Sequence, residues 1–326
     1  MSTYFSKQES DYITILCGEF DDSYSPLTRS EFWKLYHKYG DSVQALVDSG
    51  EERVEELLRR SGSVTFSLEK LEQMGIRPVA FREEGFPERL TRLKDFCPPL
   101  LYTCGDTNLR LRRHTGYVGS RDIGEEDIRW TESMVRKNVK DGFDIVTGGA
   151  RGVDSVSLQY ALAAGGNAVL FLPDNFKEKL KDRDILQGVM DGRILLYSHV
   201  SPFAKKNRHS FVAAAMERNK FIYAQSVATV VVRSDLGKGG TWSGATETLK
   251  HQWAVVFVWD NPAYPGNQKL IELGGRALSD EGTTDSGRAG AEQTGADSSE
   301  AKDAGDPPDK TTDGVQLSLF DMKDFK

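Results

Sequence analysis

From His114 onward the chain repeats one pattern. Short, almost wholly apolar runs alternate with longer segments whose apolar residues recur at helical spacing. Residues 115–118, 143–146, 168–172, 193–197, 229–232 and 254–259 read as strands, with helices between them that include 156–164, 211–226 and 241–251. Near-continuous apolar strands separated by helices predict a parallel sheet covered on both faces. Right-handed crossovers then bring the strand C-terminal ends to one edge, where open α/β sheets bind ligands. The clearest unit runs from Gly116 to Asp154. Its helix carries Ile128, Thr131, Val135 and Val139 at helical spacing, and Asp141-Gly142 is its stop signal. Each flanking strand ends in a glycine turn, Gly119-Ser120-Arg121 and Thr147-Gly148-Gly149-Ala150-Arg151-Gly152.

Upstream the period changes. Residues 23–75 read as helices. Thr28-Arg29-Ser30-Glu31 is a capping box leading into Phe32, Leu35, Tyr36 and Tyr39, and Gly40 is the expected stop. Val54, Leu57 and Leu58 mark a further helix, and Leu68, Leu71 and Met74 another, ended by Gly75. A small helical domain over 1–75 is expected. Residues 76–81 are a candidate strand, and the prolines at 78, 87, 98 and 99 favour extended or turn conformations. Beyond Ser279 apolar periodicity stops and Gly, Ser, Thr, Asp and Ala dominate, which predicts a disordered linker over 279–314. A short apolar motif closes the chain within 315–326.

Charge looks unfavourable for nucleic acid until it is located. The 326 residues carry a net charge of −7, but the segment 279–314 holds ten acidic and three basic residues. The remainder is neutral, with 39 of each sign, and a neutral body can hold a local basic patch. The three cysteines, Cys17, Cys97 and Cys104, have neither a disulfide-framework nor a zinc spacing, which fits a reducing cytoplasm. No run reaches the length of a membrane span, so no membrane contact is expected. The five histidines show no metal-ligand spacing, no Ser–His–Asp arrangement is evident, and no cofactor is expected.

The glycine turns carry the candidate chemistry. Such turns let backbone N–H groups approach a phosphate, the following helix offers its positive end, and arginines pair with phosphate oxygens. Neither turn is a G-x-G-x-x-G or P-loop fingerprint, and glycines that merely close tight βα turns remain an alternative. Gly239-Gly240-Thr241 follows a third strand and is expected to converge on the same crevice. Lys205, Lys206 and Arg208 either extend a basic patch or form an ordinary solvated loop. Tyr223 and Trp242 are base-stacking candidates, and equally core candidates.

With these residues in order, the chain resembles the DprA/Smf family of DNA-processing proteins over about residues 75–278. The similarity rests on Phe86-Pro87-Glu88-Arg89-Leu90, Pro98-Pro99-Leu100-Leu101-Tyr102 and Gly105, the two glycine turns with Val153-Asp154, and Ala161-Leu162 with Gly165-Gly166. It continues in Arg218-Asn219-Lys220 with Ile222, and in Tyr264-Pro265-Gly266-Asn267 with Leu270-Ile271 and Gly274. The resemblance implies a Rossmann-like, doubly wound domain over 76–278 that binds single-stranded DNA without catalysis. It also implies self-association as a homodimer and delivery of DNA to a RecA-type recombinase, in DNA uptake, recombination or repair. Phosphate or DNA contact carries over to Ser120, Arg121, Gly149, Arg151 and Lys220, with Gly119, Gly148, Gly152 and Asn219 shaping the site, and Arg218 joins Arg121, Arg151 and Lys220 in a candidate basic patch.

The departures matter. Lys220 stands where the family motif has a second arginine, which keeps charge but loses the bidentate fork. Ser157-Leu158 replaces the usual Ala-His, and the family's winged helix is absent. Gly240-Thr241 with Glu247 keeps two alternatives open: a nucleoside monophosphate phosphoribohydrolase-like enzyme and a small-nucleotide sensor on the same fold. Finally, Gln316-Leu317-Ser318-Leu319-Phe320 resembles the pentapeptide with which bacterial DNA polymerases and repair proteins dock on the sliding clamp, although a tail folding back onto the body is the rival reading.

Overall fold

The computed structural model describes residues 7–17, 25–174, 176–204 and 208–280. The acidic linker beyond Asp280, the motif 316–320, and Lys205 and Lys206 lie outside the described residues.

The helical segment comprises α1 (Lys7–Leu16), α2 (Arg29–Lys38), α3 (Val43–Val47), α4 (Glu52–Leu58) and α5 (Ser61–Gln73). The capping box forms: Glu31 N–H donates to Thr28 Oγ1 at 3.3 Å, and Thr28 N–H donates to Glu31 Oε2 at 2.8 Å. It starts a helix whose Phe32, Trp33 and Tyr36 are buried. Phe32 packs on Tyr12 within the segment, while Trp33 and Tyr36 reach outside it. Trp33 donates Nε1–H to the Cys97 carbonyl (2.8 Å), and its ring meets Phe81 edge-on at 5.1 Å. The core of the helices is thus continuous with that of the sheet.

The sheet has nine strands among the described residues, in the order β1-β2-β6-β5-β4-β3-β7-β8-β9. They are β1 (Arg77–Ala80), β2 (Leu100–Cys104), β3 (His114–Val118), β4 (Asp144–Thr147), β5 (Ala168–Leu172), β6 (Ile194–Ser198), β7 (Ala228–Val231), β8 (Val255–Trp259) and β9 (Arg276–Leu278). β3 to β9 are parallel, while β2 runs antiparallel to both β1 and β6. β3 to β7 are buried at every position, as expected of a sheet covered on both faces. The connecting helices are α6 (Glu125–Lys140), α7 (Val153–Ala163), α8 (Phe176–Lys179), α9 (Arg183–Met190), α10 (Arg208–Gln225), α11 (Gly239–His251) and α12 (Pro265–Glu272). α6 packs on α7, and α10 on α11.

This is the expected doubly wound α/β architecture, with two strands added. Leu100–Cys104 starts directly after Pro98-Pro99, so the proline signal marked the strand's start and not a loop. β9 has only three residues and carries no readable period. No described helix is long and apolar enough to cross a membrane.

Candidate nucleic-acid interface

Strand order reverses at β3, whose neighbours are β4 and β7. Open α/β sheets have their ligand crevice at such a point, beyond the strand C-termini. The predicted turns meet there. Ser120 N–H donates to the Arg233 carbonyl at 2.9 Å, which ties the turn after β3 to the exit of β7. Val153 N–H donates to the Ser120 carbonyl at 3.2 Å, which ties it to the start of α7. The approach is close because Gly152, at φ +80°, has no side chain. A Cβ there would lie 2.2 Å from the Ser120 carbonyl oxygen and 2.7 Å from Arg121 Cα. Gly119 packs equally tightly, its virtual Cβ 2.4 Å from Val153 Cγ2.

Arg121 and Arg151 are exposed beside these turns, and neither forms an ion pair among the described residues. Arg218 is different. It is 4% exposed, its Nη1 donates to the Phe171 carbonyl at 3.1 Å, and it lies 3.7 Å from Asp154 Oδ2. A Cβ on Gly148 would fall 1.0 Å from that Nη1, so the guanidinium occupies the space the glycine leaves open. Asp154 also accepts the Ala150 N–H at 3.2 Å. Burial holds the Asp154 carboxyl above its ordinary pKa, against the pull of Arg218 and of the Ala150 and Gly148 N–H groups. Burial likewise lowers the Arg218 guanidinium. Arg218 is therefore an internal strut joining α10, β5 and the second turn. It braces the buried Gly148-Gly149 turn from inside and presents no charge to solvent.

The neighbours of Arg218 diverge, because residues two apart on a helix are about 200° apart around its axis. Asn219 donates Nδ2–H to the Gly240 carbonyl at 3.2 Å and holds the N-terminus of α11 beside α10. Lys220 pairs with Glu247 and lies 5.1 Å from the centre of the Phe96 ring, in the groove between α10 and α11. Glu247, the candidate sugar-directed acid, is thus engaged by a lysine. Tyr223 is fully buried and is core; Trp242 is partly exposed.

The third wall was not assigned residue by residue from sequence. Asn267, fully buried, accepts the Ser234 N–H and donates to the Val232 and Trp259 carbonyls, each at 2.9 Å. Gly266 lets α12 approach, since a Cβ there would lie 2.1 Å from the Ser234 carbonyl oxygen. Together they clasp the segment leaving β7. Asp127, buried at the start of α6, accepts from Gly124 N–H, Tyr264 Oη–H and Arg233 at 2.9, 2.7 and 3.3 Å. Burial and the Asp127 carboxylate push the Tyr264 hydroxyl up to about 12. The signal for the clasp was present in Gly266-Asn267, but its target is more than 30 residues upstream. No group of three or more His, Cys, Asp and Glu among the described residues is arranged to hold a metal.

DNA processing protein DprA of Bacillus subtilis (strain 168) is 26% identical over 212 residues, covering 63% of this chain and 69% of that protein. DprA of Streptococcus pneumoniae superposes with a TM-score of 0.60 at 20% identity, over 77% of this chain and 95% of that one. DNA processing protein A of Helicobacter pylori, whose structure describes a single-stranded DNA binding mode, gives 0.52 at 25% identity over 62% and 90%. The family model for DNA recombination-mediator protein A matches residues 77–284. That match spans more than half of the chain and holds both glycine turns: the chain belongs to the DNA recombination-mediator protein A family.

Proposed function

We propose that this protein binds single-stranded DNA, without catalysis, in the crevice at the β3/β7 switch point. One observation carries the reading: two glycine turns meet there beneath Arg121 and Arg151, both exposed and without a carboxylate partner among the described residues. Phosphates along a strand need such uncommitted cations and backbone donors. The single-stranded DNA binding described for the Helicobacter pylori relative supports it. Gly119, Ser120, Gly148, Gly149 and Gly152 shape the turns, Asn219 sets the α11 end, and Arg218 acts from within. Arg121→Ala and Arg151→Ala are each expected to weaken oligothymidylate binding about tenfold and to lower the salt slope by about one, as loss of one charged phosphate contact does. Fluorescence anisotropy across a salt series measures both. Unchanged affinity in the double variant, or no binding by the wild type at low salt, rejects the reading.

The family role we infer is delivery of bound DNA to a RecA-type recombinase by a homodimer. Docking on the sliding clamp through Gln316-Leu317-Ser318-Leu319-Phe320 would concentrate that activity near replicating DNA. A peptide of residues 314–326 is expected to bind the clamp with a Kd on the order of micromolar, and Leu319→Ala with Phe320→Ala to abolish it. Calorimetry with the clamp of the source organism is the check. Failure of both the peptide and the full chain to bind removes this part of the proposal.

A further inference from the structure

We infer that a nucleobase-stacking subsite lies at the far end of the α10–α11 groove, on the rings of Phe96 and His251. The inference rests on the single-stranded DNA reading above and extends the path of the strand beyond the crevice.

The groove carries the argument. It is lined by Met216, Glu217, Lys220, Gly240, Glu247, Arg29 and Phe96, with Gly240 at the start of α11 marking its crevice end. α11 forms one wall and has 13 residues, so its ends are about 20 Å apart. At the distal end three rings gather. His251 lies parallel on Trp253, with centroids 5.0 Å apart and planes at 10°. Phe96 meets these two rings edge-on, at 6.3 and 6.2 Å. Two backbone positions build this arrangement. Gln252 takes the left-handed region at φ +56°, which turns the chain so that His251 and Trp253, two apart in sequence, stack face to face. Lys94, at φ +53°, kinks the segment that presents Phe96. Non-glycine residues in that region are uncommon and mark a shape held by its surroundings.

A packing ladder would bury its rings. Here Trp253 is 5% exposed and forms the floor, but Phe96 is 40% exposed and His251 is also exposed. Within the groove the charges are paired, Arg29 with Glu217 and Lys220 with Glu247, but at its distal end unpaired cations gather. Arg92 donates to the Trp253 carbonyl at 2.7 Å, and Arg89, Arg92 and Lys250 have no carboxylate partner among the described residues. Arg89 is partly buried and Arg92 exposed, and the charge of Arg89 lowers the Arg92 guanidinium, so a phosphate between them would be favourable to both. Lys220, although paired with Glu247, also lies 5.4 Å from the Trp253 ring centre. Lys220 and Arg29 lie over the Phe96 ring, at 5.1 and 5.7 Å from its centre, so the exposed rings sit among cations. Exposed rings among cations are what a single-strand stacking platform uses, and such a platform takes any base because every base has a π-face.

The test uses the full chain and labelled oligothymidylates of about 6 and about 20 nucleotides, a range spanning known single-strand site sizes. Phe96→Ala with His251→Ala is expected to weaken the longer oligonucleotide about tenfold and to leave the shorter one within about twofold, with His251→Phe retaining affinity. A second readout needs no substitution. A long oligonucleotide carrying only a terminal block of about 6 bases, abasic beyond it, is expected to bind the wild type about tenfold more weakly than the fully based one. Equal binding of the long oligonucleotide by wild type and double-alanine variant, or of the based and abasic forms, overturns the subsite and leaves the crevice standing. Failure of the wild type to bind any oligonucleotide overturns both.

Discussion

Arg218→Met is expected to destabilise the protein by about 3–5 kcal/mol, the usual result of removing one partner of a buried ion pair. Asp154, 7% exposed, then keeps the Ala150 and Gly148 N–H groups and the weaker pull of Arg121. The loss is expected to depend on pH. A carboxyl whose folded pKa is raised contributes stability at low pH that is lost as pH rises through the folded value. Without Arg218 the Asp154 carboxyl rises further, so the variant loses more at neutral than at acid pH. Urea unfolding of wild type and variant at several pH values measures this. A loss below about 1 kcal/mol at neutral pH would show that the pair is not the strut described above. Oligonucleotide binding by the folded fraction should fall as well, because the second glycine turn rests on that guanidinium.

The second large effect is an acid limb set by two histidines. His114 is fully buried, its Nε2 has no hydrogen-bond partner among the described residues, and burial lowers its pKa from 6.5 to about 4, helped by Arg89 and Arg112 and opposed by Asp144. His199 sits against Phe221 and beside Glu217, and burial, with Arg29 and Arg218, lowers it to about 3. Both groups have folded values below their unfolded ones. Their contribution is complete above pH 6.5 and is lost as pH falls toward 4, because only the unfolded chain takes up the protons. Each histidine adds a slope of about 1.4 kcal/mol per pH unit in that window. Asp154 and Glu217, raised by burial, act in the opposite sense, so the test is a difference. His114→Asn is expected to make stability between pH 6.5 and 4 shallower by about 1.4 kcal/mol per pH unit. Parallel slopes for variant and wild type would mean that His114 is protonated in the folded protein.

Much of this architecture could be read from local pattern. The parallel strands declared themselves because burial on both faces demands unbroken apolar runs such as Val169-Leu170-Phe171-Leu172, and the turns because glycine is irreplaceable at Gly148 and Gly152. What escaped depends on contacts distant in sequence. Arg218 looks like any surface arginine until Asp154, on another helix, is packed beside it. The helical period itself, however, placed Arg218 and Lys220 on different faces, so their joint assignment to one patch was open to challenge from sequence alone. Lys220 belongs to the α10–α11 groove for that reason. β2 was hidden by its two prolines, and the continuity of the helical and sheet cores by aromatics that find partners across the boundary, as Trp33 does with Phe81.

The Asn267 clasp has a consequence for how the protein acquires its activity. The crevice is walled by turns near residues 120 and 150, yet the β7 exit that completes it is fixed by a side chain more than 30 residues beyond β7. Such long-range closure is slow to form and comes late. During synthesis a nascent chain ending before Asn267 carries both glycine turns but an unfastened third wall. If the crevice is the DNA site proposed above, capture is deferred until the domain is nearly whole, and a chain truncated in that interval would hold little grip on a strand.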